Sequence, residues 1–129
     1  MTQTHIILVR HGEAASSWSQ HPDPGLSSDG AIQAKNVSEE FTEKFSSYEL
    51  LSSPKRRAIE TMEPIALKQK RDFAINNNFI EIPSADIESK KKQAWLKQVF
   101  EAPLDELPDA VKTWRHNLIH WLEGYKGNA

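Results

Sequence analysis

The pattern of apolar residues predicts three short strands along the chain. Residues 6–9 form a continuous apolar, β-rich run, which is typical of a strand buried on both faces of a sheet. Residues 48–51 predict a second strand, and residues 73–75 predict a third. Each run is short and is followed by polar or turn-forming residues, so the chain changes direction after each strand.

Helical patterns separate these strands. A first helix is predicted after Ser27, a plausible N-cap, and a second begins at Pro54. Pro64 is expected to kink that second helix or end its first segment. Two further helices are predicted at residues 90–100 and at about residues 109–125.

This alternation of strands and helices defines the expected fold class. It predicts an α/β protein, a three-layer αβα arrangement with a mainly parallel central sheet. A length of 129 residues supports one core, so residues 1–129 are expected to form a single domain. Residues 14–25, rich in serine and proline, are expected to form a loop.

The composition excludes several functional classes. Lys and Arg number 16 against 18 for Asp and Glu, a formal charge of −2, so neither a nucleic acid nor a membrane is an expected partner. The sequence has no cysteine, which excludes disulfides and thiolate chemistry. Because the N-terminal apolar run is too short for a signal peptide or a membrane span, we expect a cytoplasmic location.

Candidate chemistry begins where the first predicted strand ends, at Arg10, His11 and Gly12. A neutral imidazole is a competent nucleophile toward phosphorus, and a guanidinium binds a phosphoryl group with paired hydrogen bonds. Glycine lets the backbone turn closely around an anion. Taken alone the triplet is only suggestive, and the alternative is a surface Arg-His pair in a loop.

A second candidate, Arg57, lies at the next strand-to-helix junction, in the predicted first turn of its helix. Carboxyl ends of parallel strands meet at one sheet edge, so Arg57 is expected to approach Arg10 and His11. The alternative is a solvated basic patch formed by residues 55–57. That alternative is weakened because positive charge at a helix N-terminus is unfavourable unless an anion binds there.

Three motifs together resemble those of the histidine phosphatase superfamily, which includes the phosphoglycerate mutases. They occur in the family order and with family-like spacing, as Leu8-Val9-Arg10-His11-Gly12-Glu13-Ala14, Leu26-Ser27-x-x-Gly30-x-x-Gln33-Ala34 and Ser52-Ser53-Pro54-x-x-Arg57-Ala58-x-x-Thr61. The resemblance implies that His11 is the catalytic nucleophile and becomes phosphohistidine, while Arg10 and Arg57 bind the phosphoryl group. It also implies that Glu81, the best match in position, protonates the leaving group. The alternative for Glu81 is a surface carboxylate on an edge strand.

The sequence departs from the family at one point. The family carries a second essential histidine on a later strand, but after Arg57 the histidines are His116 and His120, both in a predicted helix. The resemblance therefore implies an incomplete domain that ends before that strand. Loss of the strand would uncover a sheet surface, through which we expect a homodimer.

The resulting functional prediction is a phosphatase that hydrolyses small phosphomonoesters through a phosphohistidine intermediate on His11. Its expected partner is a small phosphorylated substrate or phosphate, and neither a cofactor nor a metal ion is expected. The alternative is a catalytically weak or inactive phosphate-binding protein of the same fold. A phosphoglycerate mutase is less favoured, because the additional substrate-binding segments of mutases are not recognisable here.

Overall fold

The computed structural model describes residues 3–16, 23–84 and 87–129. Four α-helices, one pair of parallel strands and four short 3-10 helices make up the regular structure of these residues. In chain order the α-helices and strands are α1 (Ser28–Ser38), β1 (Leu51–Ser52), α2 (Arg56–Gln69), β2 (Ala74–Ile75), α3 (Lys92–Glu101) and α4 (Asp109–Gly124). The predicted α/β class is confirmed. Part of the predicted loop at residues 14–25, namely residues 17–22, lies outside the described residues.

The β1–α2–β2 segment is a parallel crossover unit. Leu51 lies opposite Ala74, and the amide of Asn76 donates to the carbonyl of Ser52 at 2.8 Å. Parallel neighbours need a crossover connection, and α2 supplies it. The prediction of parallel pairing is confirmed, and the carboxyl end of β1 lies directly before the N-terminus of α2.

Helix α2 runs through Pro64 as one element, so the prediction that the helix could end there is wrong. The helix stays continuous because the residues after Pro64 are buried: Ile65 and Ala66 pack with Leu50 in one apolar cluster. This packing outweighs the hydrogen bond that a proline removes. The helix stops at Gln69 because Lys70 adopts a left-handed φ of 54°, from which its amide reaches the last carbonyls.

Residues 6–9 do not form the predicted buried strand, and that prediction is wrong. Leu8 is 88% exposed, and the other three residues are between 36% and 39% exposed. The only strand-like pairing near them in the described ranges is an isolated parallel bridge between His5 and Asn128. A strand is buried by its neighbours, and no described strand flanks this segment along its length.

The C-terminal residues touch the start of that segment. Ile7 donates its amide to the carbonyl of Ala129 at 2.7 Å, and Ala129 donates back to the carbonyl of His5 at 3.0 Å. On the other side, the amide of Glu49 donates to the backbone carbonyl of Asn128 at 2.7 Å. Residues 128–129 thus lie between the N-terminal segment and the residues that lead into β1. Gly127, with φ of 131°, makes the turn from α4 that allows this.

Two small apolar clusters form the core. One lies under the strands and α2, and the other joins α3 to α4 through Val99, Leu107 and Val111. Trp114 and Ile82 pack against this second cluster. No helix in the described ranges is long and apolar enough to cross a membrane.

Candidate active site

The loop that follows His11 is tied to the N-terminus of α1. Ser27 donates its amide to the carbonyl of Glu13 at 2.9 Å, and its hydroxyl caps the helix by accepting from the amide of Gly30 at 3.0 Å. Glu13 donates its own amide to the side chain of Gln33 at 2.8 Å. The second motif of the sequence is therefore the docking site for the loop of the first motif.

Two glycines allow this docking. A Cβ atom built on Gly12 would lie 2.5 Å from the carbonyl oxygen of Gly30, and one built on Gly30 would overlap the backbone of Glu13. From its sequence context, Gly12 was expected to permit a close turn around an anion. The structure supplies a different reason, which is the close approach of two backbones, where no side chain fits.

Thr61 connects the same loop to α2. The buried hydroxyl of Thr61 accepts from the amide of Gly12 at 3.1 Å and donates to the carbonyl of Arg57 at 2.8 Å. One side chain thus fixes the loop relative to the first turn of α2. The sequence motif contains Thr61 but assigns it no role, although its position four residues after Arg57 places it on the same helix face.

The contacts of His11 define which ring nitrogen is available for chemistry. Nδ1 lies 2.7 Å from the carbonyl oxygen of Gly12, and a carbonyl can only accept, so Nδ1 carries the hydrogen. In the neutral ring Nε2 then has a free lone pair. Nε2 lies 3.3 Å from Nε of Arg57, whose N–H donates to it.

Arg57 is the central side chain of the site, and it is only 3% exposed. Its Nε donates to His11, and its Nη2 forms an ion pair with Glu81. Its third nitrogen, Nη1, is buried and has no hydrogen-bond partner among the described residues. A buried charged donor without a partner is costly, so this nitrogen marks a position where an anion would be stabilised.

Glu81 reaches Arg57 from an extended, unpaired segment that follows a short 3-10 turn at Asn77–Phe79. Its side chain remains 43% exposed. Helix α4 holds this segment: the indole N–H of Trp114 donates to the carbonyl of Ile80 at 2.6 Å, and Trp121 meets Phe79 edge to face at 4.8 Å. No signal in the sequence assigned this positioning role to the tryptophans of α4.

Arg10 is exposed and makes no hydrogen bond or ion pair with the described residues. It nevertheless lines the same cavity, of about 310 Å³, as His11, Arg57 and Glu81. The structure therefore brings all four candidate residues to one cavity, and three of them into direct contact. The predicted proximity of Arg57 to His11 is confirmed by the distance of 3.3 Å between Arg57 Nε and His11 Nε2.

The chain belongs to the histidine phosphatase superfamily (branch 1), whose family model matches residues 6–121. Its fold is similar to that of the phosphoserine phosphatase from Entamoeba histolytica crystallised with 3-phosphoglyceric acid. The two structures share a TM-score of 0.64 at 24% identity, over 98% of this chain and 72% of the other.

Two further solved structures have the same fold. TTHB049 from Thermus thermophilus gives a TM-score of 0.64 at 21% identity, over 98% of this chain and 74% of that one. A protein described as mycobacterial hydrolase 1 gives 0.52 at 16% identity, over 94% and 64%. Identities this low establish a shared fold alone. No curated protein matches the chain in sequence.

Proposed function

We propose that this protein hydrolyses small phosphomonoesters through a phosphohistidine formed at Nε2 of His11. The observation that carries the proposal is the buried Arg57, which faces the lone pair of His11 and retains one N–H group without a partner among the described residues. A phosphoryl group bound there would satisfy the open donor and lie against the nucleophile. Membership of the superfamily supports the same activity.

The first step exchanges protein contacts for substrate contacts. The phosphoryl oxygens take the N–H groups that Arg57 gives to His11 and Glu81 together with its open Nη1 group, and Arg10 binds from the open side of the cavity. Nε2 of His11 then forms a bond to phosphorus as the bond from phosphorus to the alcohol oxygen breaks. Glu81, which takes up a proton from solvent when the phosphoryl group displaces it from Arg57, gives that proton to the alcohol oxygen, and the alcohol leaves.

The second step restores the enzyme. A water molecule attacks phosphorus, the phosphorus–nitrogen bond breaks, and Glu81 takes a proton from the water. Inorganic phosphate leaves, and Nε2 regains its lone pair. The guanidinium groups of Arg10 and Arg57 stabilise the negative charge in both steps.

Intact mass after a brief incubation with a small phosphodonor tests the proposal. We expect the wild type to gain one acid-labile phosphoryl group and His11→Ala to gain none. His116→Ala, altered at an exposed histidine of α4, is the matched control and should gain as much as the wild type. An unmodified wild type that is folded, or a modified His11→Ala, would overturn the role of His11.

The second candidate is a phosphate-binding protein with little or no turnover. It is favoured by one observation: among the described histidines, His11 alone lines the cavity. Release of nitrophenol from an aryl phosphate separates the two functions, since the binding protein would be phosphorylated or bind phosphate without sustained release. The mutase stays the least favoured of the three functions.

The natural substrate is proposed to be a small phosphorylated metabolite. Solved relatives of the same fold include the Entamoeba histolytica enzyme with 3-phosphoglyceric acid and a histidine-to-alanine mutant of that enzyme with phosphoserine. Both ligands are phosphomonoesters small enough for the cavity described above. Neither ligand identifies the substrate of this chain, and the predicted cytoplasmic location stays a prediction.

We also propose that residues 1–129 form one domain that pairs with a second copy. The exposed apolar side chains of residues 6–9 support this, because a contiguous apolar surface favours association. Sedimentation velocity should show a dimer for the wild type and a monomer for Leu8→Lys. A monomeric wild type at high concentration would contradict the pairing.

A further inference from the structure

Glu81 lies in a segment that has no strand partner among the described residues, so its position depends on the elements packed around it. Ile80, just before it, has extended backbone. Ile82, just after it, packs against the apolar cluster between α3 and α4. Because neighbouring side chains of extended backbone point in opposite directions, the packing of Ile82 turns Glu81 away from that cluster. Glu81 thereby faces Arg57, with which it forms its ion pair.

Helix α4 holds the residues just before Glu81 at two points. The indole N–H of Trp114 donates to the carbonyl of Ile80 at 2.6 Å, and the ring of Trp121 meets that of Phe79 edge to face at 4.8 Å. The two tryptophans are seven residues apart, which places them two turns apart on one face of the helix. Since α4 is itself packed on α3, it is a fixed support for the segment.

The ion pair with Arg57 is the other hold on Glu81, and the proposed first step removes it. Phosphoryl oxygens take the N–H group that Arg57 gives to Glu81. The carboxyl group, on a side chain that is 43% exposed, is then held only through its own backbone. Contacts from α4 therefore decide whether it stays beside the leaving oxygen. General acid catalysis needs that position, because the proton moves only across a hydrogen-bond distance.

We propose that Trp114 is a positioning residue: its hydrogen bond to Ile80 keeps Glu81 beside the leaving alcohol once the ion pair with Arg57 is broken. Trp121 acts in the same direction through its ring contact. The inference rests on the proposed function, because it takes Glu81 as the proton donor of the first step. It predicts that loss of a contact from α4 slows this step only where the leaving alcohol needs a proton.

Two aryl phosphates of similar size separate positioning from a general structural role. Phenolate is a far stronger base than dinitrophenolate, so phenol needs a proton as it leaves, whereas dinitrophenolate leaves without one. The rate of the first step is measured as the phenol released in a single turnover, with the full chain in excess over the ester. A defect in proton donation slows phenyl phosphate alone, and a distorted site slows both esters.

Trp114→Phe removes the N–H group and keeps an aromatic ring. We expect it to slow phenyl phosphate about tenfold, which is part of the factor of about a hundred that general acid catalysis contributes, and dinitrophenyl phosphate less than about twofold. Trp95→Phe is the matched control and should slow neither ester, since Trp95 packs against the same apolar cluster and its indole makes no hydrogen bond to a described residue. Trp121→Leu should repeat the pattern of Trp114→Phe, and it keeps the inference testable if Trp114→Phe does not fold.

Glu81→Gln separates a failure of this inference from a failure of the proposed function. If Glu81→Gln slows phenyl phosphate selectively while Trp114→Phe slows both esters equally or neither, the positioning role is overturned and the proposed function stands. If Glu81→Gln slows both esters equally, or the folded wild type releases phenol from neither ester, the proposed function is overturned and the inference falls with it.

Discussion

Two adjoining regions of this protein differ sharply in how they are held. We call residues 11–13 together with α1 and α2 the anchored region, and residues 6–9 the open segment. In the anchored region, backbone groups bond to Ser27, Gln33 and Thr61, and the glycine contacts leave no spare space. In the open segment the side chains are largely exposed, and Ile7 alone has a strand-like hydrogen bond to a described residue.

This difference shows that the candidate site is held by the anchored region and much less by the open segment. His11 keeps its orientation through Gly12 and Arg57, both of which belong to the anchored region. Arg10 belongs to the margin of the open segment and has no comparable restraint among the described residues. His11 is therefore held in one orientation by its neighbours, whereas Arg10 has no such restraint from the described residues.

The largest expected contrast is between two apolar truncations. Ile65→Ala removes a side chain that is 2% exposed and should lower the free energy of unfolding by about 4 kcal/mol. Leu8→Ala removes a side chain that is 88% exposed and, at a protein concentration low enough to keep the chain monomeric, should change it by less than about 0.5 kcal/mol. Urea denaturation measures both, and similar losses would show that the open segment is buried in solution.

The next effect concerns the backbone contact between the loop and α1. Gly12→Ala should cost about 3 kcal/mol, because the added methyl would meet a carbonyl that cannot move aside. Gly124→Ala is the control, since nothing lies within 4 Å of a Cβ there. That control should be neutral or stabilising, and a Gly12→Ala variant as stable as the control would refute the close packing.

A smaller effect is expected for the link to α2. Thr61→Val keeps the shape but leaves the buried amide of Gly12 without its acceptor, which should cost about 2 kcal/mol. The phosphorylation rate of His11 should fall as the loop loosens. Thr42→Val, at an exposed position whose side chain caps no helix, should do neither. Thermal unfolding measures the loss of stability, and the intact-mass assay measures the rate of phosphorylation.

The smallest effect is a titration at the C-terminal end. Burial, then the hydrogen bond to Glu49 and its negative charge, raise the pKa of Tyr125 from 10.0 to about 12. The folded state thus favours the neutral phenol, so this stabilisation is complete below about pH 10 and is lost as pH rises toward 12. Tyrosinate absorbance should show a late step that Tyr125→Phe removes and Glu49→Gln moves to lower pH. A step unchanged in Tyr125→Phe would contradict the assignment.

Local signals in the sequence predicted much of the anchored region. Ser27 was predicted as the N-cap of α1, and it is; Arg57 was placed in the first turn of its helix, and it lies there. Helix caps and helical periodicity involve residues only a few positions apart in the sequence. They can therefore be predicted without knowledge of the rest of the fold. The order and spacing of the three motifs also sufficed to identify the superfamily.

Tertiary structure decided the features that depend on distant neighbours. Residues 6–9 have the composition of a buried strand, yet burial needs strands on both sides, which no local pattern supplies. Packing between separate elements also decided three other features. They are the continuity of α2 through Pro64, the close approach of the loop backbone to Gly30, and the hydrogen bond from Trp114 to Ile80. The sequence alone determined most of the elements and the candidate residues on them, and the tertiary contacts determined which of those residues are held in place, because such contacts join segments that are distant along the chain.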